Sequence, residues 1–289
     1  ISSKEISWKH KEGKMNLYVI GRPINHSLSP LIHNYWLKKY KKKEIYGKLD
    51  LNEKDLQNII KKISNQEILG VNVTIPYKQK TYSLLENLNI NATKSFAVNT
   101  IYRKNEKVYG ENTDGKGFCE ALIQETGFKF KQKKILVLGA GGASYGVVSE
   151  ILQRDVNEIL ISNRTPTKSE LLIQNFNNYS KQIKSLSWEN LAPDKSIDLI
   201  INTTSVGLKE GECININLDY VSKKVIYSDL IYNPKKTETM KMFEEKGLLT
   251  QNGLGMLVNQ AALSFKLWFN INLTLEDINE ARKLCEKSN

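Results

Sequence analysis

The sequence is poor in the residues on which several protein classes depend. It has 3 cysteines, Cys119, Cys213 and Cys285, far apart and without a Cys-x-x-Cys pair. That excludes a disulfide framework and points to free thiols in a reducing, cytoplasmic setting. It has 3 histidines, His10, His26 and His33, none at ligand spacing from a cysteine or carboxylate. No metal site is expected from them, and all of these residues read as core or solvated side chains. No apolar run approaches the ~20 residues of a membrane-spanning helix. The polar stretch from Ile1 to Lys14 lacks the apolar core of a secretory signal. Membrane and secreted classes are therefore not expected.

Arginine is scarce as well. The formal charge of +11 rests on 37 Lys against 5 Arg, with 29 Asn beside them. Base-reading surfaces use clustered Arg and aromatic platforms. Here the lysines are dispersed, gathering only at Lys38–Lys43 and Lys129–Lys134, so the bias belongs to the whole chain and no nucleic-acid partner is expected. The positive excess would instead draw in anionic small molecules.

What is present is a chain of 289 residues, 40% hydrophobic, enough for one large or two medium domains without staples. Residues 1–14 read as a leader, a tag remnant or a disordered extension ahead of Met15. A first strand follows at 16–21. Ser29-Pro30 then opens a helix, with Ser29 suited to the N-cap and Pro30 to the first turn. A helix over about 53–63 precedes a strand over 70–76. A strand over 96–102 has a hairpin partner at 108–110, turned around Lys104–Lys107.

A second pattern starts near Lys134. Ile135-Leu-Val-Leu138 is a continuous apolar run, the mark of a strand buried on both faces. It meets Gly139-Ala-Gly-Gly-Ala-Ser144, a helix through 147–153, and further strands at 159–161, 198–202 and 225–228. Strands alternating with helices give a doubly wound parallel sheet. Helices over 254–269 and 275–286 close the chain. The expected fold is α/β in two domains.

Gly139-x-Gly141 lies directly after a buried strand and before a helix. The first glycine permits a tight turn, the second lets the backbone approach a pyrophosphate, and free N–H groups at the helix start bind the anion. Ser144 takes the place of the usual third glycine. An NAD site commonly carries an acid about 20 residues on, at the end of the next strand. Here that strand ends Ser162-Asn163-Arg164-Thr165, with Lys168 one turn later. Arg164 can stack on adenine and pair with a 2′-phosphate, so the turn favours NADP.

In the first half, Val71-Asn72-Val73-Thr74 alternates, which sends Asn72 and Thr74 to one face. Lys78 follows on the turn. Asn99 and Asp114 stand at other element ends, and short polar side chains there suit a polyhydroxylated ligand. These blocks resemble the shikimate dehydrogenase family: Gly21-Arg-Pro-Ile-Asn-His26-Ser27-Leu-Ser29-Pro30, Asn72-Val-Thr74-Ile-Pro-Tyr-Lys78, Ala97-Val-Asn99-Thr and Asn112-Thr-Asp114-Gly. The second half continues the resemblance through Gly139-Ala140-Gly141-Gly142-Ala143, Asn163-Arg164-Thr165, Ile201-Asn-Thr-Thr-Ser205-Val-Gly207, Asp229-Leu230-Ile-Tyr232 and Gly253-Leu-Gly-Met256-Leu-Val-Asn-Gln260. It covers roughly residues 15–270.

The resemblance implies NADP-linked interconversion of 3-dehydroshikimate and shikimate in aromatic amino-acid biosynthesis. It implies that Lys78 and Asp114 flank the reacting oxygen and that Ser27 and Ser29 bind the substrate carboxylate. Thr74, Asn99, Tyr232 and Gln260 would contact ring hydroxyls or the carboxylate. Gly139 to Ala143, Asn163, Arg164, Thr165, Lys168, Leu230 and Gly253 would hold the cofactor. It further implies a discontinuous substrate domain, 15–113 plus 253–289, around an NADP domain, 114–252. Three positions depart from the family's usual pattern. Lys168 stands where many relatives have Arg, Leu230 where Met is frequent, and Arg22 where a small or neutral residue is usual. The alternatives are an enzyme that also takes quinate or uses NAD, and a ligand-binding regulator without turnover. Monomer and homodimer both stay open.

Overall fold

The structure, a computed structural model, describes residues 16–179, 182–189 and 191–288. The extension expected at 1–14 lies outside the described residues. Two six-stranded sheets organise the chain. The first contains β1 (Asn16–Gly21), β2 (Tyr46–Asp50), β3 (Ile68–Val73), β4 (Asn87–Leu88), β5 (Thr100–Lys104) and β6 (Lys107–Glu111). Its order is β2-β1-β3-β5-β6-β4, with β5 antiparallel to both β3 and β6. The second contains β7 (Lys134–Leu138), β8 (Glu158–Ser162), β9 (Ile183–Ser185), β10 (Leu199–Asn202), β11 (Ile226–Asp229) and β12 (Leu249–Gln251). It is parallel throughout, in the order β12-β11-β10-β7-β8-β9.

The helices are α1 (Ser29–Lys39), α2 (Leu56–Ser64), α3 (Lys78–Leu84), α4 (Ile90–Ser95), α5 (Asp114–Thr126), α6 (Gly142–Ile151), α7 (Pro166–Asn175), α8 (Glu238–Glu245), α9 (Leu254–Phe269) and α10 (Leu275–Ser288). They cover both faces of both sheets, which gives the expected two-domain α/β architecture. The period-2 geometry of β7 shows why: Ile135 and Val137 enter one core while Leu136 and Leu138 enter the opposite one. On α9, Leu254, Val258, Ala261 and Phe265 recur at helical spacing and pack with Leu17, Val19 and Trp36 of the first sheet and α1. The Trp36 indole donates to the Asp277 carbonyl at 3.0 Å, so α10 is pinned there too.

Some boundaries differ from the sequence reading. Leu28 occupies the N-cap of α1, Ser29 is its first residue, and the Ser27 hydroxyl accepts from the Ser29 N–H at 3.3 Å. The strand expected over 70–76 ends at Val73, where the chain turns toward Lys78. The strand expected from 96 starts at Thr100, because α4 runs to Ser95 and Phe96 takes a left-handed φ of 51°. Arg22, without a role in the sequence, has one here. Its Nε meets Asp50 at 2.7 Å and its guanidinium also donates to Asn52, tying the loop after β1 to the end of β2.

Helix α5 packs on both α9 and α6. Its crossing with α6 is close enough that a Cβ on Gly115 would lie 2.1 Å from the Gly146 carbonyl oxygen. This one helix therefore links the two sheet systems.

His33 on α1 is fully buried and stacked on Tyr46, with ring centroids 4.2 Å apart. Burial lowers its pKa to about 3, against a smaller opposing contribution from Asn72. The folded pKa lies below the unfolded value, so the neutral ring's contribution is fully present above about pH 6.5. It is lost as pH falls toward 3, on the order of 5 kcal/mol across the window. His33→Phe is expected to flatten this loss, read as the difference between variant and parent urea midpoints at pH 7 and pH 4.5. Equal slopes for the two proteins would contradict it.

Candidate active site

A cleft of about 880 Å³ lies between the two sheet systems. From the first half it is lined by Ser27, Ser29, Thr74, Lys78, Asn99 and Asp114. From the second half and α9 it is lined by Ala143, Leu230, Tyr232, Gly253, Met256 and Gln260. The order of the parallel sheet reverses between β7 and β10, and ligands of doubly wound folds bind beyond the carboxyl ends of strands at such a switch.

Lys78 is the first residue of α3 and Asp114 the first of α5. A carboxylate at a helix start gains from the free N–H groups there. The Lys78 ammonium donates to Asp114 Oδ2 at 2.7 Å, with the side chains 11% and 5% exposed. A buried ion pair is tolerated when its remaining hydrogen-bonding capacity is met. Asp114 Oδ1 accepts from Asn99 Nδ2 at 2.9 Å, and the Asp114 N–H donates to Asn112 Oδ1 at 3.0 Å. Asn99 also takes the Thr113 N–H on its Oδ1 at 2.9 Å and reaches Gln260 Oε1 at 3.3 Å. An ammonium has three N–H donors, so the pair still leaves donors to offer a ligand oxygen at the cleft wall.

Behind this pair stands a second tier that sequence reasoning missed as a network. Asn72 Nδ2 donates to Ser264 at 2.9 Å and to Thr100 at 3.1 Å, and Asn72 Oδ1 accepts from the Tyr46 hydroxyl at 2.6 Å. Ser29 lies beside that same hydroxyl. Asn72 was visible as the polar member of an alternating strand. Thr100 stood in the Ala97-Val-Asn99-Thr block without an assigned role and Ser264 carried no signal, because Asn72 is distant from both in sequence.

On the opposite wall, Gly139 follows β7 with φ +110°, a conformation open to glycine, and its N–H donates to the Ser162 carbonyl at 2.7 Å. Ala140 is buried next to it. A side chain at Gly141 would meet nothing within 4 Å, which leaves open ground in front of the α6 N-terminus. Ser144 bonds Thr203 at 2.6 Å, holding the glycine turn to the end of β10. Free N–H groups beside open space fit a pyrophosphate. A Cβ on Gly142 would lie 3.3 Å from Lys78 Cβ, so the glycine turn passes close to the stem of the lysine and has no room to spare for a side chain there.

The basic turn starts one residue beyond Ser162. Asn163 braces it by donating to the Thr165 carbonyl at 2.8 Å, leaving Arg164, Thr165 and Lys168 exposed. No carboxylate ends β8, so this end of the site suits a 2′-phosphate. These four residues stand apart from the main cleft, at the neighbouring strand end. Tyr232 crosses the cleft to the Leu28 backbone, and burial raises its phenol above the ordinary value.

Three protein-family models match the chain in order. The shikimate dehydrogenase substrate binding domain matches residues 19–101, shikimate / quinate 5-dehydrogenase residues 121–209, and the shikimate 5′-dehydrogenase C-terminal domain residues 253–278. The shikimate dehydrogenase (NADP(+)) of Pelagibacter ubique is 38% identical over 258 residues, covering 89% of this chain and 94% of its own. A shikimate dehydrogenase crystallised with NADP+ superposes with TM-score 0.85 at 32% identity, covering 95% of this chain and 96% of the other. The enzyme of Thermus thermophilus in complex with shikimate gives TM-score 0.80 at 30% identity, with coverages of 94% and 98%.

Removing the Asn99 amide would leave the buried Thr113 N–H without its acceptor and Asp114 Oδ1 without its donor. Asn99→Ala is expected to destabilise the fold on the order of 2 kcal/mol, read from the urea midpoint. An unchanged midpoint would contradict the network.

Proposed function

The chain belongs to the shikimate dehydrogenase family: it is an NADP-dependent oxidoreductase that interconverts 3-dehydroshikimate and shikimate, and we propose that Lys78 and Asp114 carry the proton in that reaction. The observation that supports this best is the buried Lys78–Asp114 pair, facing the cleft, with the glycine turn passing close to the Lys78 stem at Gly142. When bound, NADPH supplies the hydride, and NADP+ accepts it in the reverse direction.

In reduction, negative charge develops on the carbonyl oxygen. The Lys78 ammonium stabilises it and delivers the proton; in oxidation the neutral amine takes the hydroxyl proton back. Asp114, fixed by Asn99 and by its own helix N-terminus, aims the ammonium. Ser27 and Ser29 at the start of α1 take the substrate carboxylate, where helix N–H groups favour an anion. Thr74, Asn99, Tyr232 and Gln260 contact the ring hydroxyls or the carboxylate. Gly139 to Ala143 cradle the pyrophosphate, Leu230 and Gly253 line the nicotinamide end, and Asn163, Arg164, Thr165 and Lys168 clamp the 2′-phosphate. We further read the domains as 15–113 plus 253–289 for substrate and 114–252 for NADP. Among the described residues no helix is long and apolar enough to cross a membrane. The free thiols Cys119, Cys213 and Cys285 support a cytoplasmic setting.

The test is formation of reduced nicotinamide on mixing the protein with shikimate and NADP+, with NAD+ or quinate substituted in parallel. Turnover with shikimate and NADP+ well above either substitution is expected. Arg164→Ala is expected to raise KM for NADP+ about tenfold, chiefly by loss of one charged phosphate contact, and KM for NAD+ by clearly less, through loss of adenine stacking alone. Equal rates with NAD+ would overturn the reading of the basic turn. Absence of turnover in folded protein would overturn the proton-transfer assignment and favour a silent binder.

A further inference from the structure

Asp229 stands in the Asp229-Leu230-Ile231-Tyr232 segment yet lines no part of the cleft. It is the last residue of β11 and fully buried. Its Oδ1 accepts from Asn202 Nδ2 at 3.0 Å and from the Ile231 N–H at 3.0 Å. Its Oδ2 accepts from Thr237 Oγ1 at 2.9 Å and from the Tyr227 hydroxyl at 3.1 Å. All four contacts are donors, which matches an ionised carboxylate acting only as an acceptor.

Three of these bonds lead to separate pieces of the same wall. Asn202 Oδ1 receives the Thr204 N–H at 2.9 Å, and its Nδ2 donates to the Val206 carbonyl at 3.1 Å, which shapes the loop leading to Gly207. Thr237 is the N-cap of α8, accepting from the Met240 N–H at 3.2 Å. Ile231 lies between Leu230 and Tyr232, and its carbonyl takes the Gly253 N–H at 3.0 Å. Gly207, Leu230, Tyr232 and Gly253 all line the cleft.

We propose that Asp229 is a positioning residue: it joins the loop after β10, the turn after β11 and the start of α8 into one rigid wall, and so sets Leu230 against the nicotinamide end and Tyr232 against the substrate. It acts on ligands only through these neighbours. The proposal rests on the assignment of the cleft given above. Its chemical basis is that an error of about 1 Å in a positioning element costs on the order of 10²-fold in rate, whereas a role confined to folding changes how much enzyme is active and not the constants of each active molecule.

The test uses the full chain with D229A, D229N and T237V. For each, folding is followed by circular dichroism, NADP+ binding by protein fluorescence, and kcat and KM by shikimate oxidation. D229A that folds is expected to raise KM for both NADP+ and shikimate about tenfold or more and to weaken NADP+ binding in step. D229N keeps an acceptor for the two N–H donors and turns its NH2 toward two hydroxyls that can rotate to accept, so it should recover most of the loss. T237V removes two bonds, the one to Asp229 and the N-cap bond from the Met240 N–H, and is expected to raise the same constants about threefold. Lower thermal stability with unchanged KM values and NADP+ affinity in D229A would overturn the proposal. Should D229A fail to fold, unchanged constants in T237V would do so. The NADP+ titration decides the matter even where shikimate proves not to be the substrate.

Discussion

The structure depends on keeping one ammonium–carboxylate pair almost out of water. Desolvating Lys78 and Asp114 is unfavourable, and their mutual attraction offsets it only with good geometry and satisfied neighbours. The chain meets that condition by placing Asp114 on a helix N-terminus and its second oxygen on Asn99. Asn99 is in turn fixed by Thr113, Thr100 and Gln260. Asn72, Ser264 and Tyr46 continue the network to β2 and α9. Partial satisfaction would be worse than none, since each unpaired buried polar group carries its full desolvation penalty.

That constraint explains the chain order. Gln260 and Ser264 belong to α9, so the chain must return to the first sheet after building the second. Asp114 begins α5, which runs against α9 on one side and α6 on the other, and α6 begins at the glycine turn. A single helix thus relates Asp114 to the glycine turn. The close approach of Gly142 to the Lys78 stem brings the two walls together. The chemistry sits where two sheets meet, and neither sheet contains it alone.

The sequence made the buried interior legible and the edges much less so. Every strand flanked on both sides was readable, from the apolar run of β7 to the alternation of β3. The strands passed over, β2, β4, β9 and β12, are the outer strands of the two sheets. β4, β9 and β12 have only two or three residues, and β2 and β9 carry residues such as Lys48, Asp50 and Lys184 because one side faces solvent, which erases the periodic signal. At the site, Lys78, Asp114, Ser27, Ser29 and the glycine turn stood in local motifs. Asn72, Asn99 and Gln260 stood in motifs too, but their pairings did not show, since Asn72 with Ser264 and Asn99 with Gln260 are joined only by folding. Asp229 was visible within its segment, but its four partners are a property of the folded wall.

Lys78 and Asp114 are proposed to work as one unit. The most direct test is a double-mutant cycle in kcat for shikimate oxidation, using Lys78→Ala, Asp114→Asn and the combination, each confirmed folded. Each single variant should lose about 10²–10⁴-fold, and the double variant should lose about as much as the worse single, because removing either member already dismantles the pair. Losses that multiply in the double variant would show two independent contributions and contradict the account.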